Sequence, residues 1–379
     1  MTLIKMKSSL YILSAIIIFV GCNNTRQDET IPIIYCTDLY QPPQDPDDHY
    51  DLAILASLPE FDVRAIVFDN ATQGRDALKD AGISALRQIS DISKRPIPPY
   101  AIGLSEKLSS ENDKALSQPA ESQKGVELII STLRNSKEKI VLFLVGSCRD
   151  FAVAYNREPE LLRKKVKALY VNAGNGPDGI QFEWNVSLDP YAYLCLMESG
   201  LPIFWAPCFS QVNLRQATAE DILANDKSTY NTFYKVPNQA KMLESSSVKV
   251  KNFFAYALNR EHGDPISFLS LPAQPLPERA RNMWCTAVFF HAAERKIYLH
   301  DGQYRAYPPQ KAKELNIDGN EVSVYQFDQV GITVEKTDNG LLFTGVLNTP
   351  QSNTKVFRYT HPQYNDIMVS ALSGLLREL

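Results

Sequence analysis

Residues 35–55, YCTDLYQPPQDPDDHYDLAIL, hold Asp45, Asp47, Asp48 and Asp51 within seven positions, with Asp38 shortly before them. Carboxylates brought together in this way repel one another, and each raises the pKa of the next unless a cation neutralises them. Oxygen ligands of this kind suit a hard divalent ion such as calcium. An EF-hand loop is excluded, because its Asp-x-Asp-x-Asp-Gly spacing and terminal glutamate are absent. The simpler alternative is that Asp45 or Asp47 caps a helix and complements its dipole. A second stretch, GNGPDG at 174–179, matches G-x-G-x-x-G after an apolar run. Pro177 and the extended-looking IQFEWN follow it where a dinucleotide site would open a helix, so no nicotinamide or flavin site is expected. His291 reads as a packed or surface side chain.

The elements that would position the aspartates are legible. Continuously apolar runs at 31–35, 63–68, 140–145, 166–171 and 203–206 alternate with amphipathic segments at 48–57, 75–89, 118–134, 149–155 and 190–199. Strands apolar on both faces, alternating with helices, predict an α/β fold with a mostly parallel central sheet and flanking helices. In such sheets ligands collect at the carboxyl ends of the strands. The aspartate cluster lies there, between the first strand and the first helix. From about residue 298 the pattern changes to short alternating runs at 322–327, 331–335, 341–346 and 355–359, then a helix near 365–376. This predicts a C-terminal antiparallel excursion that returns to the same domain.

The N-terminus has a different character. Lys5 and Lys7, an apolar stretch from 10 to 20, then Gly21 and Cys22 read as a signal peptide. The ending Phe19-Val20-Gly21-Cys22 resembles the bacterial lipobox, which implies cleavage before Cys22, lipidation of its thiol, and a membrane-anchored place in the bacterial cell envelope, at the periplasmic side or outer membrane. An ordinary secretory signal or uncleaved anchor is the alternative. The expected organisation is a lipoprotein signal peptide at 1–22, a polar tether at 23–30, and one domain at 31–379. A net charge of −4 offers no basic field for nucleic acid. The five remaining cysteines, Cys36, Cys148, Cys195, Cys208 and Cys285, are odd in number and widely spaced, so buried free thiols are expected rather than a disulfide framework.

Four blocks resemble the nucleoside hydrolases of the inosine-uridine preferring superfamily. Thr37-Asp38, the DPDD of 45–48 and the following LAIL resemble that family's Asp-Thr-Asp-x-Gly-x-Asp-Asp-x-x-Ala-Leu signature, with a longer loop and no glycine. VRAIVFDN at 63–70 is similar to its second strand, which ends in an active-site asparagine. IVLFLVGSCRDFAVAY at 140–155 is similar to its Val-Gly-Pro-Leu-Thr-Asn-x-Ala segment, with Ser147, Cys148 and Asp150 replacing the expected residues. Residues 166–207 parallel its Met-Gly-Gly strand, its Glu-Phe-Asn motif as Glu183-Trp184-Asn185, and its Asp-Pro-x-Ala helix start at Asp189.

The resemblance implies a nucleoside-hydrolase-like layered fold and hydrolysis of an N-glycosidic bond with a calcium cofactor. Such a reaction passes through an oxocarbenium-like sugar and needs an activated water, a grip on the ribose hydroxyls and help for the leaving base. Carried over by position, Asp38 would be calcium ligand and general base, Asp48 a calcium ligand, and Val145 a ligand through its carbonyl. Asp47, Glu183 and Asn185 would hold ribose hydroxyls, with Asn175 and Asn70 as helpers. Asp189 reads as a helix cap. The pattern breaks at RNMWCTAVFFHAAE, 281–294, where Trp284-Cys285 stand at the family's His-Asp. A thiol is a soft, poor calcium ligand. Either the site keeps fewer protein ligands, or Asp51, Asp69 or Asp178 substitutes, or the function is altered. The expected partners are a small nucleoside or sugar, the membrane through the lipid, and, compatibly, further copies in a homo-oligomer. The alternative function is a non-catalytic nucleoside- or sugar-binding lipoprotein with a degenerate hydrolase site.

Overall fold

The computed structural model describes residues 30–43, 45–70, 82–176, 180–181, 183–209, 229–336, 342–347 and 353–379. The expected signal peptide, Cys22, residues 23–29 of the tether, the start of the helix expected at 75–89, and Asp178 lie outside them. No helix among the described residues is long and apolar enough to cross a membrane.

The strands are β1 (Ile31–Thr37), β2 (Phe61–Phe68), β3 (Tyr100–Ile102), β4 (Ile140–Leu144), β5 (Val166–Val171), β6 (Ile180–Gln181), β7 (Ile203–Trp205), β8 (Tyr234–Val236), β9 (Arg281–Met283), β10 (Lys296–His300), β11 (Gln303–Tyr307), β12 (Glu321–Val322), β13 (Tyr325–Lys336), β14 (Leu342–Leu347) and β15 (Thr354–Tyr359). The central sheet runs β3-β2-β1-β4-β5-β7-β15-β13-β14-β6. Its first seven strands are parallel and the last three antiparallel. The antiparallel excursion is therefore present, but its closing strand, β15, returns parallel to β7. Strands β10, β11 and β12 form a separate small sheet, and β8 pairs with β9.

The helices between strands are α1 (Asp47–Ser57), α2 (Ile83–Ser93), α3 (Lys124–Asn135), α4 (Arg149–Arg157), α5 (Pro159–Lys165), α6 (Trp184–Leu188) and α7 (Pro190–Met197). The helix expected to open at 118 instead begins with a 3-10 turn at Ala120–Gln123, because Pro119 disfavours a helical Gln118. Side chains alternate across a strand, so β1 feeds two cores. Ile33 and Tyr35 enter one with Phe143, Phe289 and Leu372, whereas Ile34 and Cys36 enter the other with Val126, Phe151 and Leu196. Both faces being covered is the reason the strand reads as an unbroken apolar run. Chain order reverses across the sheet between β1 and β4, and at such a switch point the loops part to leave a crevice at the strands' carboxyl ends.

Candidate active site

That crevice is a cavity of about 370 Å³, within the size range of small-molecule sites. Each wall comes from the end of a strand. Asp38 follows β1, Val145 follows β4, Asn172 follows β5, and Cys208 and Phe209 follow β7, while Asp47 and Asp48 arrive on the first turn of α1. Glu183, Trp184 and Asn185 come from the start of α6, and Trp284 and Cys285 from the segment before the late helix Thr286–Ala292. Of the residues singled out from sequence, Asp38, Asp47, Asp48, Val145, Glu183 and Asn185 thus share one pocket. Asn175 is fully buried behind it in a β-bridge to Phe209, and Asn70 follows β2; neither lines the cavity.

The long loop from Asp38 to Pro46 is pinned from outside. Gln41 Nε2 donates to the carbonyls of Tyr256 and Glu261, each at 3.3 Å, and Arg260 donates to the Pro43 carbonyl. Arg281 pairs with Asp45 at 2.9 Å. Capping does not account for the aspartates: Pro46 is the N-cap of α1 and no side chain caps it. Asp48 instead accepts from the Thr37 hydroxyl at 2.8 Å.

Crowding has the expected electrostatic result. Burial, then the charges of Asp38, Asp47 and Asp51, push the Asp48 carboxyl well above its usual range, and Asp48 shares a hydrogen bond with Asp38. Asp47 is pushed up by burial and then by Asp45, against the opposing pull of Arg281. Asp51, one helical turn on, is raised to about 7 by burial and the charge of Asp38, while the neighbouring Cys285 thiol works in the other direction. Neither Asp51 oxygen has an N–H or O–H partner among the described residues.

Glu183 is placed by its own helix. Its carboxylate caps α6, accepting from the Asn185 and Val186 N–H groups at 2.9 and 3.2 Å, and also from Gly174 N–H at 2.9 Å. Burial raises its pKa and these donors oppose the shift. Asn185 Nδ2 donates to the Asn172 carbonyl at 3.1 Å. Asn172, which the motif comparison did not single out, ties the walls together: its amide donates to the Ala206 carbonyl at 2.7 Å and its Oδ1 accepts from the Cys285 thiol at 2.8 Å. Its position directly after an apolar strand was the available signal. The rim is aromatic. Trp284 packs edge-on to Phe209 and Phe233, with centroids at 5.8 and 5.6 Å, and Trp184 is 55% exposed.

Other candidates resolve differently. Asp69 accepts a short hydrogen bond from Ser147 N–H and is engaged in joining the loops after β2 and β4. A Cβ on Gly146 would stand 2.8 Å from that carboxylate and 3.1 Å from Asp38 N, so this approach needs glycine. His291 is bonded to the Tyr170 hydroxyl at 2.7 Å among Phe204 and Phe327, away from the cavity, and burial lowers its pKa to about 4. All five cysteines at 36, 148, 195, 208 and 285 are free and buried, as expected.

Hard oxygen donors in excess at the cavity wall, with Arg281 turned to Asp45, are the donor type that a hard divalent cation takes. Among the described residues no three His, Cys, Asp or Glu side chains form a ready-made metal cage. The acids stand instead close together, and Asp48, beside Asp38, and Asp47, beside Asp45, have their carboxyls pushed well above the usual range by burial first and then by these neighbours.

A model of the family described as "Inosine-uridine preferring nucleoside hydrolase" matches residues 43–300. Among curated relatives, the pyrimidine-specific ribonucleoside hydrolase RihA of Salmonella enteritidis is 27% identical over 180 residues, covering 42% of this chain and 56% of the relative. RihA of Salmonella schwarzengrund is 28% identical over 178 residues with the same coverage. The chain spans about half the length of the curated relatives it matches. Among solved structures, an inosine-uridine preferring nucleoside hydrolase from Bacillus anthracis aligns with a TM-score of 0.49 at 14% identity, over 91% of this chain and 100% of that one. A purine-preferring ribonucleoside hydrolase from Gardnerella vaginalis aligns at 0.49 and 15%, over 91% and 99%.

Proposed function

The chain belongs to the inosine-uridine preferring nucleoside hydrolase family, and from that premise we propose that it hydrolyses the N-glycosidic bond of a ribonucleoside or related glycoside. The observation that carries this reading is the meeting of Asp38, Asp47, Asp48, Glu183 and Asn185 in one cavity with an aromatic rim.

Asp38 is the base that takes a proton from the attacking water. Asp47 and Asn185 hold sugar hydroxyls, and Glu183, fixed by three N–H donors, presents its remaining acceptor capacity to the same sugar. Trp284, Phe209 and Trp184 offer faces and edges on which a flat leaving base packs. Asp38, Asp48 and the Val145 carbonyl would be the groups to hold calcium, which when bound would supply positive charge that makes a nearby water more acidic. Purine and pyrimidine ribonucleosides are the panel to test, with calcium and with chelator, and sugar release is the readout. Asp38→Ala is expected to lower turnover by about 10²–10⁴-fold; full activity in that variant would overturn the mechanism.

One observation favours a second reading. Among the described lining residues there is no histidine, lysine or arginine to protonate a leaving base. A non-catalytic nucleoside- or sugar-binding lipoprotein would show calorimetric affinity without turnover. The pattern at Cys22 supports lipidation and attachment to the bacterial envelope; loss of palmitate labelling in Cys22→Ala tests it.

A further inference from the structure

We propose that the substrates of this cavity are N-ribosides whose base already carries a positive charge, as in a pyridinium or an N-alkylated purine riboside. The proposal rests on the hydrolase reading above and names its substrate class. Asp38, Asp45, Asp47, Asp48 and Glu183 all line the cavity, and among the described residues no lysine, arginine or histidine does. Arg281 offsets one of these acids, pairing with Asp45 at 2.9 Å. Asp38 and Asp48 would be occupied where calcium is bound, which leaves Asp47 and Glu183 for the ligand. A concave wall of one sign focuses its field and concentrates ligands of the opposite sign.

The rim has the matching chemistry. Trp184, Trp284 and Phe209 line the same cavity as the acids. The face of an aromatic ring attracts a cation, and tryptophan does so most strongly. Trp284 is held by edge contacts to Phe209 and Phe233, and Trp184 is exposed to an arriving base. In the bond-breaking step the C–N electron pair passes to the ring nitrogen of the base. A neutral base then departs as an anion and needs a proton, whereas a cationic base departs neutral and needs none. The attacking water bonds through its oxygen to the anomeric carbon and gives one proton to Asp38. Such a substrate is cleaved without the histidine, lysine or arginine that the described lining lacks.

The test uses the full chain with calcium, and 1-ribosylpyridinium beside the matched pair 7-methylguanosine and guanosine at pH 6, which differ by one methyl group and one charge. A cationic base is the better leaving group in water too, so KM and its salt dependence are read along with ribose release, with guanosine's inhibition constant standing for KM where it is not cleaved. KM for 7-methylguanosine is expected to lie about 10-fold or more below that for guanosine, and the gap to narrow between about 20 and about 200 mM salt. Asp45→Asn removes one carboxylate charge from the wall and is expected to raise KM for both cations more than for guanosine. Trp184→Leu keeps apolar bulk but removes the ring, and is expected to raise KM for the cations by about 2–5-fold, again more than for guanosine. Both side chains are at least half exposed, far-UV circular dichroism checks each variant, and the wild-type comparison stands without them. Guanosine binding as well as 7-methylguanosine, or a gap that salt leaves unchanged, would overturn the proposal, while ribose release from guanosine would keep the hydrolase reading. No ribose release from any of the three would remove the hydrolase reading, and the proposal with it.

Discussion

At the residue scale, this fold holds acids where water is scarce, and each has a local reason. Asp150 shows the principle away from the cavity. Its carboxyl is wedged against Gly103 and Gly125, where added Cβ atoms would stand 2.1 and 2.8 Å from its oxygens, and it accepts from Leu104 N–H at 3.2 Å. Burial, then the charge of Asp69, raises its pKa to about 7. A folded-state pKa above the unfolded value near 4 means that the protonated form is favoured by folding. Its stabilising contribution is complete below about pH 4 and is lost as pH rises toward about 7. Asp150→Asn, which cannot ionise, should therefore be more stable than the wild type at pH 8, by up to about 4 kcal/mol at 1.36 kcal/mol per unit. The difference should vanish near pH 4. Denaturant melts at the two pH values check this, and an Asn variant less stable at pH 8 would contradict the assignment.

At the element scale, the loops around the cavity are held by buried polar bonds. Arg149, at the first position of α4, pairs with Asp189 at 2.8 Å with both side chains essentially inaccessible. Its other nitrogens donate to the carbonyls of Leu104 and Leu188 at 3.1 and 3.2 Å. Asp189 also caps α7 through Ala192 N–H at 3.1 Å and accepts from Leu108 N–H at 2.9 Å. One ion pair thus joins the ends of α4, α6 and α7 to the loop after β3. Removing one partner of a buried pair leaves the other charge uncompensated, so Arg149→Met should cost about 3–5 kcal/mol. Chemical denaturation measures this, and a loss under 1 kcal/mol would show that water replaces the guanidinium. Capping at Glu183 is smaller in scale. Glu183→Ala removes acceptors for Asn185 and Val186 N–H and should cost about 0.5–2 kcal/mol, together with substrate affinity. Affinity falling with no change in stability would mean that the cap bonds contribute little.

At the scale of the whole molecule, the parallel sheet gathers like charges at one end, which weakens the fold unless a cation arrives. A ligand that binds only the native state stabilises it by RT ln(1 + [L]/Kd), about 2.7 kcal/mol at a hundredfold excess over Kd. Calcium should raise Tm in the wild type and leave Tm unchanged in Asp48→Asn, as read by thermal denaturation with calcium and with chelator. An unchanged wild-type Tm would argue against a native cation site.

Much of this was legible in the chain. Strands β1, β2, β4, β5 and β7 were readable because both of their faces are buried, and an unbroken apolar run records that fact directly. That Asp38, Asp47, Asp48, Val145, Glu183 and Asn185 would lie near one another was readable because they sit in blocks placed at the ends of successive strands, and they do line one cavity. The parallel return of β15 beside β7 was not, since a strand's direction depends on which neighbour it meets. Nor was the role of Asn172, whose partners Ala206 and Cys285 are 34 and 113 residues away. The sequence by itself determined which groups could ionise and at which strand ends they would lie. Tertiary structure alone decided which of them face one another, and at what cost in burial, because pKa values and hydrogen-bond partners arise from distances across the sheet rather than along the chain.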